Sequence, residues 1–70
     1  VTTALIYSDG MIDICDNSSR ENGSPADTLQ PLPGEEPIDT LRRFGWDGGP
    51  SGHGAETAVG WADEWEITAI

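Results

Sequence analysis

Lysine does not occur in this chain, and its only strong bases are Arg20, Arg42 and Arg43. Against them stand 13 carboxylates, giving a formal net charge of −10 over 70 residues. Affinity for nucleic acid rests on cationic contacts to phosphate, so direct binding of DNA or RNA is not expected. A phosphate-binding loop needs a lysine behind its glycines, which removes that motif as well. A lone cysteine, Cys15, cannot close an internal disulfide or build a thiolate zinc site. The lone histidine, His53, leaves no pair at metal-ligand spacing. No run approaches the ~18–20 apolar residues of a membrane span, and no basic segment precedes an apolar one. A soluble, cytoplasmic protein is the resulting expectation.

Seventy residues make one small domain, expected over 1–70 and near the lower limit for a chain that folds without staples. The 36% hydrophobic content and the acidity together approach the disordered range. Three tryptophans, one phenylalanine and one tyrosine pull the other way, because disordered chains usually lack aromatic residues. The absence of lysine beside abundant glycine, proline, alanine and aspartate suggests a GC-rich genome. In style of composition the chain resembles small reading frames of actinobacteria and their phages.

The segment TALIYSDGMIDIC, residues 3–15, carries Asp9-Gly10 between two apolar-rich runs, a strong hairpin signal. A two-residue type I′ turn there pairs Tyr7 with Ile12 and Leu5 with Ile14. The core face is then expected to hold Leu5, Tyr7, Ile12 and Ile14, with Ala4, Ile6 and Met11 on the other. Residues from about 16 to 36 are rich in Asn, Ser, Gly and Pro, with turn signals at Asn22-Gly23 and Ser24-Pro25. This predicts a long irregular loop, into which Leu29 and Leu32 bring apolar anchors.

EEPIDTLRRFGW reads as a short helix. Pro37 suits its first position, Glu35, Glu36 and Asp39 its positive end, Arg42 and Arg43 its negative end, and Gly45 its stop. Ile38, Leu41 and Phe44 form its apolar stripe. Two or three turns do not hold together alone in water, so the helix must dock on a sheet, with Trp46 capping the contact. Residues 47–56, DGGPSGHGAE, read as a turn-rich loop. TAVGWADEWEITAI then reads as two strands joined at Ala62-Asp63-Glu64. The competing reading, one long strand, places Asp63 on the same face as Trp61 and Trp65. The expected fold class is therefore α+β: a small antiparallel sheet of two hairpins, ββαββ, with one short helix packed on one face.

Chemistry is sparse. Asp47, Ser51 and His53 share residue types with a hydrolase triad, but one glycine-rich loop does not hold triad geometry. Asp9, Asp13, Asp16 and Asn17 do not follow calcium-loop spacing. Glu35-Glu36 serve a helix start better than acid–base work. No catalytic residue, metal or cofactor is expected, and the protein reads as a non-enzyme. The leading expectation is a small acidic protein that binds a basic protein surface, with a phage-type inhibitor or nucleic-acid mimic as its sharp form. Trp61, Asp63, Glu64, Trp65 and Glu66 are the candidate partner-binding residues, combining aromatic anchors with an acidic rim. The alternative is an accessory or structural subunit that self-associates through a sheet face bearing Ala4, Ile6 and Met11.

Overall fold

The structure, a computed structural model, describes residues 2–16 and 25–70. Along the chain lie β1 (Thr2–Tyr7), β2 (Ile12–Cys15), β3 (Asp27–Leu29), helix α1 (Pro37–Arg43), β4 (Trp46–Thr57) and β5 (Gly60–Ala69). The strands form one antiparallel sheet in the order β3-β2-β1-β5-β4, and α1 packs on one of its faces. The α+β class is as expected. The sheet has a fifth strand because β3 arises inside the segment read as irregular, where Leu29 faces Ile12 and is 1% exposed. Leu32, the other expected anchor, remains exposed. The turn signal at Asn22-Gly23 lies outside the described residues.

The first hairpin forms, one residue out of the expected register. Gly10 has φ of +91°, whereas Asp9 does not have positive φ, so the type I′ geometry that needs both is not formed. Gly10 N–H donates to the Tyr7 carbonyl at 3.0 Å, and Tyr7 N–H donates to the Met11 carbonyl at 2.9 Å. Asp9 Oδ1 accepts from Met11 N–H at 3.0 Å and fixes the turn. The resulting loop spans Ser8, Asp9 and Gly10, and Ile6 faces Ile12 while Ala4 faces Ile14. A one-residue slip turns every side chain of a strand over. Ala4 and Ile6 therefore enter the core, and Leu5 and Tyr7 move to the opposite face, reversing the expected assignment for β1.

The core gathers Ala4, Ile6, Ile12, Ile14, Leu29, Leu41 and Ile67, with Trp46 and Trp65 packed against it. Helix α1 starts at Pro37 behind an extended Glu36 and stops where Gly45, at φ +88°, donates its N–H to the Arg42 carbonyl. Its buried residues are Thr40 and Leu41. Phe44, expected in the apolar stripe, is instead exposed, with the Arg43 guanidinium 4.5 Å from its ring centre. The helix ends before Phe44 completes its third apolar row, so that side chain points away with the turning backbone.

Glu35 ties the loop to the helix. Its carboxylate accepts from Thr40 Oγ1 at 2.7 Å, from Leu32 N–H at 3.0 Å and from Arg43 at 3.1 Å. Arg43 also donates to the Gln30 carbonyl at 2.9 Å. With the Arg43 bonds as the main cause, followed by Leu32 and Thr40, the Glu35 carboxyl is pulled down to about 2.

The second hairpin corrects two expectations. Residues 47–56, expected as a loop, belong to strand β4, and the predicted break at Ala62-Asp63-Glu64 does not occur. The chain turns at Ala58-Val59 instead, where Thr57 pairs with Gly60 and Thr57 Oγ1 donates to the Gly60 carbonyl at 2.6 Å. Pairing on both sides explains the unbroken β5. Ala62, Asp63 and Glu64 bond β1 on one side and β4 on the other, so a turn there would forfeit both ladders. The only irregularity in the pairing lies between Pro50 and His53, where Ser51 and Gly52 bulge and Ser51 Oγ donates to the Glu64 carbonyl at 2.9 Å.

Candidate functional site

Alternation along β5 divides the five expected binding residues into two groups. Asp63 lies opposite Ile6, and Trp65 opposite Ala4, so Trp61, Asp63 and Trp65 share the face that carries the helix. Glu64 lies opposite Leu5, and Glu66 opposite Thr3, which places both on the other face. The sequence expectation set Trp61 and Trp65 on the inner face of a hairpin, with Asp63, Glu64 and Glu66 at its tip and outer side. The structure brings three together and sends two through the sheet.

On the helix side, α1 leads directly into Trp46 and covers the end of the sheet where Trp46 faces Ala69. The far part of the β4–β5 hairpin is left open. There Trp61 is 58% exposed, while Trp65 is half-buried against the core. Trp61 occupies the space above Gly54: a Cβ at that glycine would collide with indole Cζ2 and lie 2.7 Å from Cε2. Glycine on β4 thus gives the indole a seat on bare backbone. The Trp61 indole N–H donates to Asp63 Oδ1 at 3.2 Å. A groove of about 370 Å³ results, and its lining includes His53 and Glu64 beside Gly54, Trp61, Asp63 and Trp65.

Asp63 lines this groove and forms no ion pair among the described residues. Its partners across the strands are Ile6 and Gly54, and its neighbours along the same face are the two tryptophans. Glu56, opposite Trp61, adds a second exposed carboxylate on that face. The two described arginines are engaged elsewhere: Arg42 with Asp47 at 3.4 Å, and Arg43 with Glu35.

Among the described residues no helix packs on the opposite face. Asp13, Leu5, Glu64 and His53 form one row across it. Tyr7 donates its hydroxyl to Asp13 at 2.8 Å, and Thr28 donates to the same carboxylate at 3.0 Å. Burial first, and then the bond to Asp13, raise the Tyr7 phenol above its ordinary value. This is a closed polar network rather than a reactive pair.

The residues that resemble a triad by type are separately occupied. Asp47 pairs with Arg42, Ser51 donates to the Glu64 carbonyl, and His53 lies opposite Glu64. Among the described residues no group of three or more His, Cys, Asp or Glu side chains is placed to hold a metal ion. No helix among them is long and apolar enough to cross a membrane.

Pro50, Gly54 and Glu56 belong to the site and were missed in the sequence because residues 47–56 were read as a loop. The signal that could have found them is alternation: an unbroken strand through Trp61, Asp63 and Trp65 demands a facing strand of matching length. Compared with known protein families, curated proteins and solved structures, the chain matches none.

Proposed function

We propose that this chain is a non-enzymatic, cytoplasmic acidic protein that binds a basic protein surface, in its sharpest form an inhibitor that imitates nucleic acid. One observation carries the reading. The open end of the β4–β5 hairpin presents Trp61 and Trp65 beside Glu56 and Asp63, with Glu64 and Glu66 alternating to the other face, and neither of its strands contains a lysine or arginine. Aromatic surface set among uncompensated carboxylates suits a cationic partner: the rings supply contact area, and the charges speed encounter.

The alternative, a self-associating accessory subunit, keeps only Met11 of its three sheet-face residues, because Ala4 and Ile6 lie in the core. The open sheet face offers Leu5 and Tyr7 instead, but Asp13 and Glu64 flank Leu5. Two copies stacked there would set like charges against each other, which favours the first reading.

The test is capture of partners from a lysate at low and high salt, repeated with Asp63, Glu64 and Glu66 replaced by alanine. A basic partner should be held at about 0.05 M salt and released near 1 M, where the Debye length falls to about 3 Å. The charge-depleted protein should hold it weakly, with a flatter salt response. The same partner retained equally by both proteins at both salts would overturn the proposal.

A further inference from the structure

We propose that the groove between Trp61 and Trp65 seats an arginine side chain of a protein partner, with Asp63 as its counter-charge. This deepens the reading of a basic partner and rests on it. The geometry is a repeat of alternate β5 positions. Residues two apart on a strand are about 6.6–6.8 Å apart, so the tryptophan positions stand roughly 13 Å apart with the aspartate midway. On the β4 side of Asp63 lies Gly54, and the space above it is taken by the Trp61 indole, which rests there on bare backbone. Asp63 Oδ1 accepts the Trp61 indole N–H, and Oδ2 accepts no bond from the described residues. Asp63 thus lines the groove with one carboxylate oxygen unbonded among the described residues, beside an indole that is more than half exposed.

Arginine fits this combination better than lysine. A guanidinium is planar, so it can lie against an indole while its N–H fork meets a carboxylate at its edge. An ammonium is a point charge with no face to stack and a firmer hydration shell. Phosphate-bearing ligands are repelled by Asp63 and Glu56. A neutral sugar ring could rest on the indoles, but it would leave the carboxylate without a cation and its binding would ignore salt. Glu66, on the other side of the sheet, attracts the partner without touching the arginine.

The experiment titrates isotopically labelled protein with hexaarginine, hexalysine and a neutral hexasaccharide, following the three indole N–H resonances and the backbone amides by NMR. Hexaarginine should shift the Trp61 and Trp65 signals, leave Trp46 in place and bind more tightly than hexalysine. Asp63→Asn should weaken hexaarginine about ten-fold, the loss of one charge-assisted pair, and erase the preference over hexalysine. Glu66→Gln should weaken both peptides equally. The comparison of ligands on the unaltered protein needs no variant, so it decides the matter even if Asp63→Asn disturbs folding. Equal binding of both peptides with Trp61 unmoved would overturn the arginine groove and leave the basic-partner reading standing. Binding of neither peptide would overturn both. Preferential binding of the hexasaccharide at Trp61 would overturn the groove's assignment to a cation.

Discussion

Leu41 is the residue on which helix α1 depends. Seven residues cannot hold a helix in water, because nucleation is unfavourable and short segments gain too few hydrogen bonds to offset it. Leu41 is fully buried in the core, whereas Phe44 is 47% exposed. Leu41→Ala removes a fully packed side chain and leaves a cavity between helix and sheet, costing about 3 kcal/mol within a range of about 2–5. A chain of 70 residues has a total stability of roughly 3.5–10 kcal/mol, so the loss takes a third or more of it. With a urea slope of about 1 kcal/mol/M, the midpoint should fall by about 3 M. Phe44→Ala should cost about 1 kcal/mol or less, chiefly its contact with Arg43. Urea unfolding followed by tryptophan fluorescence measures both, since Trp46 and Trp65 border the core. If Phe44→Ala were as damaging as Leu41→Ala, the helix would be docked by the stripe Ile38-Leu41-Phe44, and the burial argument would fail.

Two further predictions follow from register and charge. Ile6→Thr should destabilise by about 2 kcal/mol and Leu5→Thr by less than about 1, because only Ile6 faces Ile12 in the core; thermal melts giving the reverse order would restore the two-residue turn. Glu35, lowered from 4.5 to about 2 on folding, contributes stability that is complete above about pH 4.5 and lost as pH falls through 2. Glu35→Gln should therefore flatten the melting temperature across that acid range, and parallel curves for the two proteins would refute the assignment.

How far the sequence led depended on how local each cause was. The helix was legible because its signals lie within a few residues: Pro37 at the start, Arg42 and Arg43 in the last turn, Gly45 at the stop. The β1–β2 hairpin was legible in existence but not in register. Asp9-Gly10 serves a two- or a three-residue loop, and the choice turns on the φ of Asp9, which the residue types leave open. Strand β4 was illegible for a different reason. Five glycines and a proline over Gly45–Gly54 argue against a strand, and what overrides them is β5 lying alongside. The short β3 depends likewise on Leu29 reaching Ile12 across the sheet. Trp61, Asp63 and Trp65 were identifiable by type, and their separation from Glu64 and Glu66 hung on whether residues 60–69 run as one strand.

On the proposed reading, that separation gives the acidity two roles. A sheet is thinner than the Debye length of about 10 Å at 0.1 M salt, so Glu64 and Glu66 still act on a cation approaching the helix side. Glu66 cannot form a hydrogen bond with it there, because the backbone of β5 stands between. Long-range attraction mainly raises the rate of encounter, whereas the lifetime of a complex follows from close, desolvated contacts. On this fold the first property is distributed over both faces. The second is confined to the three alternate residues of β5 that share a side with α1, where one carboxylate has aromatic rings before and after it and glycine opposite. On the proposed reading, neutralising any remote carboxylate removes a fraction of the field, and neutralising Asp63 removes the carboxylate that stands between the two tryptophans.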